Sequence, residues 1–266
     1  MIQVDEINQS INELLRRSHA YLAIEPLVEV LQPTTLYVDS LEEPCLFALM
    51  DQEAMILYLG GHTEDEVKYR RYLKQVKDLF ISNNKPIAYL QVASSNPLAS
   101  HWLSKHYSAF IIHRGERVLY TYRGGPLSIK SDTSHLEVIS RDLLRRKLNN
   151  QDGLVNEITS LWGSVESFLD RGFGICALKD QTLLGWAASE TVSKTACGMV
   201  MATGSTYRNH DLGIIMGQAF VNESLDKKIQ PFINLWADDE EGRELAHCLG
   251  FERLAAYQVL VLKSNY

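Results

Sequence analysis

The residues most able to do chemistry lie in one short stretch. An apolar run, Met199-Val200-Met201-Ala202-Thr203, leads into Gly204-Ser205-Thr206-Tyr207-Arg208-Asn209-His210-Asp211-Leu212-Gly213. The run reads as a strand. Leu212, Ile215, Met216, Ala219 and Phe220 then form one apolar stripe, which predicts an amphipathic helix over 212–226. The first turn of any helix has N–H groups without internal partners. Those donors and the positive end of the dipole attract anions. Arg208 adds a planar fork suited to phosphate oxygens, and Gly213 permits close approach to the backbone. These residues predict a diphosphate-sized anion at 208–213. An ordinary strand–loop–helix connection with a solvated Arg208 explains them slightly more simply.

The elements around this stretch alternate between strand and helix. The second half predicts a strand over 136–139, a basic helix over 141–148, and a helical stretch ending near Trp162. A short helix capped by Ser164 or Ser167 holds Phe168 and Leu169. Strands follow over 173–178, 183–189 and 198–203, then a strand over 232–237, a helix over 240–249 and a last strand over 255–262. In the first half, a helix is expected over 4–21 and apolar runs at 36–38, 46–50 and 54–59 read as a strand meander. Thr63 and Glu66 have capping-box spacing at the head of a long helix. A strand is expected over 87–92, a helix from Asn96-Pro97, and a hairpin with its turn at Arg114-Gly115-Glu116. Glycine, proline and short polar residues crowd into 124–134, where a linker is expected. The fold class is therefore α/β (α+β), with domains at 1–125 and 134–266.

Composition narrows the function class. The chain has 266 residues, 45% of them hydrophobic and 22% charged, enough to bury a core without staples. A formal net charge of -7 argues against broad nucleic-acid binding. No run of about 18 apolar residues predicts a membrane span, and the N-terminus lacks the pattern of a secretory signal. The four cysteines, Cys45, Cys176, Cys197 and Cys248, form no CxxC pair and sit among apolar residues. They read as buried free thiols of a cytoplasmic protein.

The loop resembles the R/Q-x-x-G-x-G/A loop of the GNAT superfamily of N-acetyltransferases, which holds the pyrophosphate of acetyl-CoA. The resemblance extends over about 130 residues. It takes in Phe168-Leu169-Asp170-Arg171-Gly172-Phe173, then Trp186-Ala187-Ala188-Ser189, then Thr203 with Tyr207-Arg208. It ends with Pro231 and Asp239 through Leu249-Gly250-Phe251. It is similar to a bacterial GNAT family with an extra N-terminal region. The resemblance implies a GNAT domain in the second half, with acetyl-CoA as cosubstrate and no metal. It implies Met201, Thr203, Arg208, Asn209, His210, Asp211, Leu212 and Gly213 as cofactor-binding residues.

Acyl transfer to an amine needs a base, a polarised thioester carbonyl and a proton for the leaving thiolate. Glu190 and Asp239, both read at strand ends, are the carboxylate candidates for the base, with Asp238 beside the latter. Each also reads as a solvated loop carboxylate. The family's usual leaving-group tyrosine falls at Ala246, which leaves Tyr257 or His247 as substitutes. Trp162, Trp186 and Trp236 line an acceptor pocket or pack in the core. The sequence also departs from the family pattern: Asp211 replaces a glycine, Asp239 an asparagine, Gly242 a serine and Gly198 a glutamate. The expected function is transfer of an acetyl group to a primary amine of a small molecule. A catalytically degenerate binding or regulatory protein on the same scaffold is the alternative. No nucleic-acid or membrane partner is expected, and a homodimer is open. The first half carries no chemical motif. It reads either as a degenerate GNAT-like half or as a small α+β domain shaping the acceptor site.

Overall fold

In the computed structural model, residues 1–29, 34–51, 56–82, 87–93, 102–103, 105, 107–129, 136–204 and 210–263 are described. Contacts divide the chain into two compact units, Met1–Val118 with Leu254–Tyr266, and Leu119–Arg253.

The first unit opens with a two-residue strand β1 (Ile2–Gln3) and two helices, α1 (Gln9–Arg16) and α2 (Tyr21–Glu29). Strands β2 (Thr34–Val38), β3 (Leu46–Asp51) and β4 (Ile56–Gly61) follow, then helix α3 (Glu66–Ser82) and strand β5 (Ile87–Ala93). The first four strands pair antiparallel in sequence order. The α3 crossover then makes β5 parallel to β4, since parallel neighbours require a long connection. The helix expected over 4–21 is confined to Gln9–Arg16, and the sequence reading has no counterpart of α2. Asn8 caps α1 by accepting from Ile11 N, and the chain turns beyond Arg17. Pro26 lies inside α2; a proline within a helix obscures the periodic signal that would have revealed it.

Helix α3 is capped by Asp65, not by the expected Thr63. The Asp65 carboxylate accepts from the amides of Val67 and Lys68, at 2.9 and 3.0 Å. Thr63 instead accepts from Asp65 N. The helix expected from Asn96-Pro97 lies largely outside the described residues. The expected hairpin at 114–116 is absent: β6 (Ile111–Thr121) runs straight through. A tight hairpin turn needs positive φ, and Gly115 is not among the glycines that take one.

The second unit repeats the same succession. Strand β7 (Leu136–Val138) leads to α4 (Arg141–Arg145), α5 (Gln151–Trp162) and α6 (Val165–Arg171). Strands β8 (Gly174–Lys179), β9 (Thr182–Val192) and β10 (Ala196–Thr203) pair antiparallel in turn with β7 and one another. Helix α7 (His210–Asp226) crosses over to strand β11 (Gln230–Trp236), parallel to β10. Helix α8 (Glu240–Cys248) and strand β12 (Glu252–Lys263) end the chain. The last strand does not follow the linear split at 124–134. Gln258–Lys263 pair antiparallel with β5, and Leu254 onward groups with the first unit.

The core of the second unit fixes α7 against its strands. Met216, Phe220 and Val221 are fully buried among Ala187, Cys197 and Met199. Phe220 stacks on Phe173 with ring centres 5.0 Å apart. Burying a side chain of this size contributes about 1.5–3 kcal/mol. Close approach is built in at Gly217, where a β-carbon would fall 2.5 Å from Leu249. Residues after β6 are pinned to α7 as well. Leu127 N donates to Asn222 Oδ1 at 2.7 Å, and Asn222 Nδ2 returns a bond to Leu127 O at 2.9 Å. A second cluster, on the opposite face, packs α5 and α6 through Leu154, Ile158 and Phe168.

Candidate active site at the split between β10 and β11

Parallel strands β10 and β11 are in register only at Ala196 with Gln230, Cys197 with Pro231 and Gly198 with Phe232. Beyond that point β10 continues to Thr203 and β11 to Trp236 without pairing each other. On its other side β10 stays paired with β9 as far as Thr203 with Gly185. The remaining edge of β10 thus offers backbone donors and acceptors to whatever enters the split. Met201 and Thr203 both lie on this open length. The Met201 side chain is turned away from it, against α7: its sulfur would lie 3.7 Å from a β-carbon on Gly213.

The first unit provides an internal comparison. Its parallel pair, β4 and β5, stays in register from Ile56 with Tyr89 to Gly60 with Ala93. The start of its crossover helix α3 is occupied by the Asp65 carboxylate. The same topology is closed in one unit and split in the other.

A bulge lies at the mouth of the split. The register passes from Gly198 with Thr191 to Met199 with Ser189, which leaves Glu190 as the extra residue of β9. Bulges re-aim side chains and recur beside active sites. Here the bulge turns the Glu190 carboxylate over Gly198. A β-carbon at Gly198 would lie 3.2 Å from Glu190 Oε2 and 3.1 Å from the Phe232 ring. Glu190 is half-buried and lies inside β9 rather than after its end. The carboxylate that the family pattern carries on β10 is absent from Gly198. The neighbouring strand delivers one to the same place.

The other expected site residues are placed as follows. Helix α7 starts at His210, so Asp211, Leu212 and Gly213 occupy its first turn. Arg208 and Asn209 lie outside the described residues. The β-carbon direction of Gly213 faces Leu245 and Met201 at 3.7–3.8 Å, so this glycine serves helix packing as well as access. Asp239 caps α8, with Oδ1 accepting from Gly242 N at 2.9 Å. Gly242 fits this cap because a β-carbon there would fall 2.4 Å from the Asp239 carboxylate. Ala246 is fully buried. His247 is exposed. Tyr257 is 4% exposed and belongs to the part of β12 that groups with the first unit. Glu190, Met201 and Thr203 are therefore the residues brought to the split itself, with Asp211, Leu212 and Gly213 on the helix that follows β10.

Of the three tryptophans expected at an acceptor pocket or in the core, Trp162 and Trp186 are structural. Trp162 Nε1 donates to Ser189 O at 2.9 Å, and Trp186 Nε1 donates to the Glu157 carboxylate. Both pack against the α5 and α6 cluster. The Trp162 bond holds the backbone next to Glu190, so it supports the bulge. Phe232 was not singled out from sequence. Nothing in the apolar runs 196–203 and 230–236 signals where their pairing stops.

Cys176 and Cys197 are buried as expected, but Cys45 is half-buried and Cys248 is exposed. Cys248 lies in the last turn of α8, on its solvent side. Burial pushes the Cys176 and Cys197 thiols up to about 12, so both stay protonated. Among the described residues, no helix is long and apolar enough to cross a membrane.

A seven-part succession of strand, helices, three antiparallel strands, crossover helix and a parallel strand that splits away defines the GNAT fold. The chain belongs to the GNAT acetyltransferase family, which it matches over residues 13–260. The match includes the first half, where sequence alone showed no motif. Among solved structures, it is similar to a GCN5-related N-acetyltransferase-like protein from Streptococcus suis. The two are 18% identical, with 95% of this chain and 99% of that one covered and a TM-score of 0.63. A GCN5-related N-acetyltransferase from Sphaerobacter thermophilus is 11% identical over 98% of this chain and 95% of its own, with a TM-score of 0.60. A tandem GNAT protein from the clavulanic acid biosynthesis pathway is 13% identical, covering 86% of this chain and 82% of its own, with a TM-score of 0.58. No curated protein matches the sequence.

Proposed function

We propose that the second unit transfers an acetyl group from acetyl-CoA to a primary amine of a small molecule. The observation that carries this reading is the end of β10–β11 pairing at Gly198 and Phe232, with the α7 N-terminus following β10. The open β10 edge suits an amide-bearing arm, and the first turn of α7 with Arg208 suits its diphosphate. The open β10 edge and the first turn of α7 support acetyl-CoA as the cosubstrate in this reading.

In this reading Glu190 removes the proton from the attacking ammonium, directly or through a water. The neutral nitrogen adds to the thioester carbonyl. A backbone N–H on the open edge of β10 stabilises the oxyanion. The C–S bond then breaks, the nitrogen gives up its second proton as the amide forms, and the departing thiolate takes that proton. We favour Glu190 over Asp239 as the base because Asp239 uses an oxygen to cap α8. Ala246 offers no acid to the leaving thiolate, which favours a second reading: a protein that binds acyl-CoA without turnover. The free thiols fit a cytoplasmic setting.

The test is a thermal-shift titration with acetyl-CoA on the full chain and on Arg208→Ala. Stabilisation of the first, absent from the second, is expected. No shift at millimolar acetyl-CoA would sink both readings. A shift without turnover over a panel of amines would select the second.

A further inference from the structure

The peptide link between Ser189 and Glu190 is held from outside its own sheet. Continued in register, β8 and β9 set Phe173 opposite Ser189, one step beyond Gly174 with Ala188. Antiparallel residues paired in this way exchange both N–H···O=C bonds. One of the two is made: Ser189 N donates to Phe173 O at 2.9 Å. The other is redirected. Phe173 N donates to Ser189 Oγ at 3.0 Å, so the hydroxyl stands in for the carbonyl.

That substitution releases the Ser189 carbonyl from the ladder. Ser189 is 1% exposed, and a carbonyl shut away from water needs a partner. Trp162 Nε1 supplies it, donating at 2.9 Å. The donor is itself fixed. Trp162 ends α5, and Gly163 turns the chain at φ +73 toward Ser164, the cap of α6. From α6, Phe168 meets the indole edge-on with ring centres 5.8 Å apart. The Arg171 guanidinium lies 5.4 Å from the indole centre.

Ser189 C=O and Glu190 N–H belong to one planar peptide group. A bond to that carbonyl therefore sets the backbone of Glu190 as it enters the bulge, and with it the aim of the side chain over Gly198. We propose that Trp162 is a positioning residue for the Glu190 carboxylate. The proposal rests on the reading of Glu190 as the base. A phenyl ring would serve packing alone; the N–H is what the Ser189 carbonyl requires.

Trp162→Phe keeps an aromatic ring and removes the donor. With a competent amine, kcat should fall about tenfold, because misplacement of a reacting group is costly. The KM for acetyl-CoA should stay within about twofold. In a Glu190→Gln background the same substitution should change kcat by less than about twofold, since residues that act through one another are not additive. An unchanged kcat in Trp162→Phe overturns the proposal, and so do losses that multiply in the double variant. Hydrogen exchange reads the hold without turnover. The amides of Glu190 and Thr191 should exchange about fivefold faster in Trp162→Phe, as after loss of one hydrogen bond. Amides of α7 should exchange as in the parent. Equal exchange at the two bulge amides, or a rise that extends over α7, also overturns the proposal. An unchanged kcat in Glu190→Gln removes the base instead and leaves the exchange result standing, so the two failures are separate results.

Discussion

Gly198 and Phe232 are the last residues that β10 and β11 hold in register, and the Glu190 carboxylate lies over that pair. A bulge in β9 aims the carboxylate, and the missing side chain at Gly198 leaves it room. The base, in the proposed reaction, thus stands at the point where the sheet opens.

Glu190→Gln keeps the size and loses the proton acceptor. Turnover should fall by about 10²–10³, within the range for a positioned general base. The KM for acetyl-CoA should change little, because the carboxylate acts on the amine. Steady-state kinetics on a competent amine would show this split. An unchanged kcat would remove Glu190 from the mechanism.

Gly198→Val tests the space itself. The new side chain would meet the Phe232 ring and the Glu190 carboxylate from 3.1–3.2 Å outward. Overpacking of this kind costs about 1–3 kcal/mol. Urea denaturation should report that loss. Turnover should fall further than the stability loss explains, because the carboxylate is displaced.

One acetyl-CoA per chain is expected, although the topology is repeated. The β4–β5 pair is in register to Gly60, and Asp65 already satisfies the first amides of α3. Native mass spectrometry should show a single bound molecule, lost in Arg208→Ala. Asp65→Ala removes a cap worth about 1 kcal/mol and should not create a second site.

Asp39 links folding to acid. Burial pushes its carboxyl up, but bonds from the Cys45 thiol, the Lys68 ammonium and the amides of Leu46 and Cys45 outweigh burial and hold it below 3.8. A carboxyl lowered by folding stabilises above its unfolded value and loses that contribution as pH falls through its folded one. Asp39→Asn should cost about 2 kcal/mol at neutral pH. Its stability should also decline less between neutral pH and pH about 3 than the parent's. Denaturant midpoints across that range would measure both.

Thiol labelling should separate the cysteines. Cys248 is exposed and should react first with a maleimide at pH 8. Cys176 and Cys197, raised to about 12 by burial, should stay unmodified until denaturant is added. Peptide mass mapping would show the order. Early labelling of Cys197 would contradict the packing of α7 on β10.

Much of the second unit was legible because its signals are local. Serine at 164 caps α6, the apolar stripe of 212–220 makes α7, and turn residues 179–181 separate β8 from β9. Each depends on neighbours within one or two turns. The segment over 111–121 has the local pattern of a hairpin, since a glycine between charges resembles a turn, yet it forms one strand. Its straight course depends on partners distant in sequence. Likewise, Thr63 had capping spacing, but Asp65 stands nearer the first free amides and has the stronger acceptor.

The amino-acid sequence by itself determined the family of the second half, the strand–loop–helix at 199–213 and the periodic elements around it, since periodicity and caps are written in adjacent residues. Tertiary structure alone decided that the first half repeats the fold and that its parallel strands stay paired where the second pair parts. It alone set Glu190 over Gly198. Strand register and the aim of a bulged side chain follow from hydrogen bonds between segments far apart in the chain, and no local pattern encodes them.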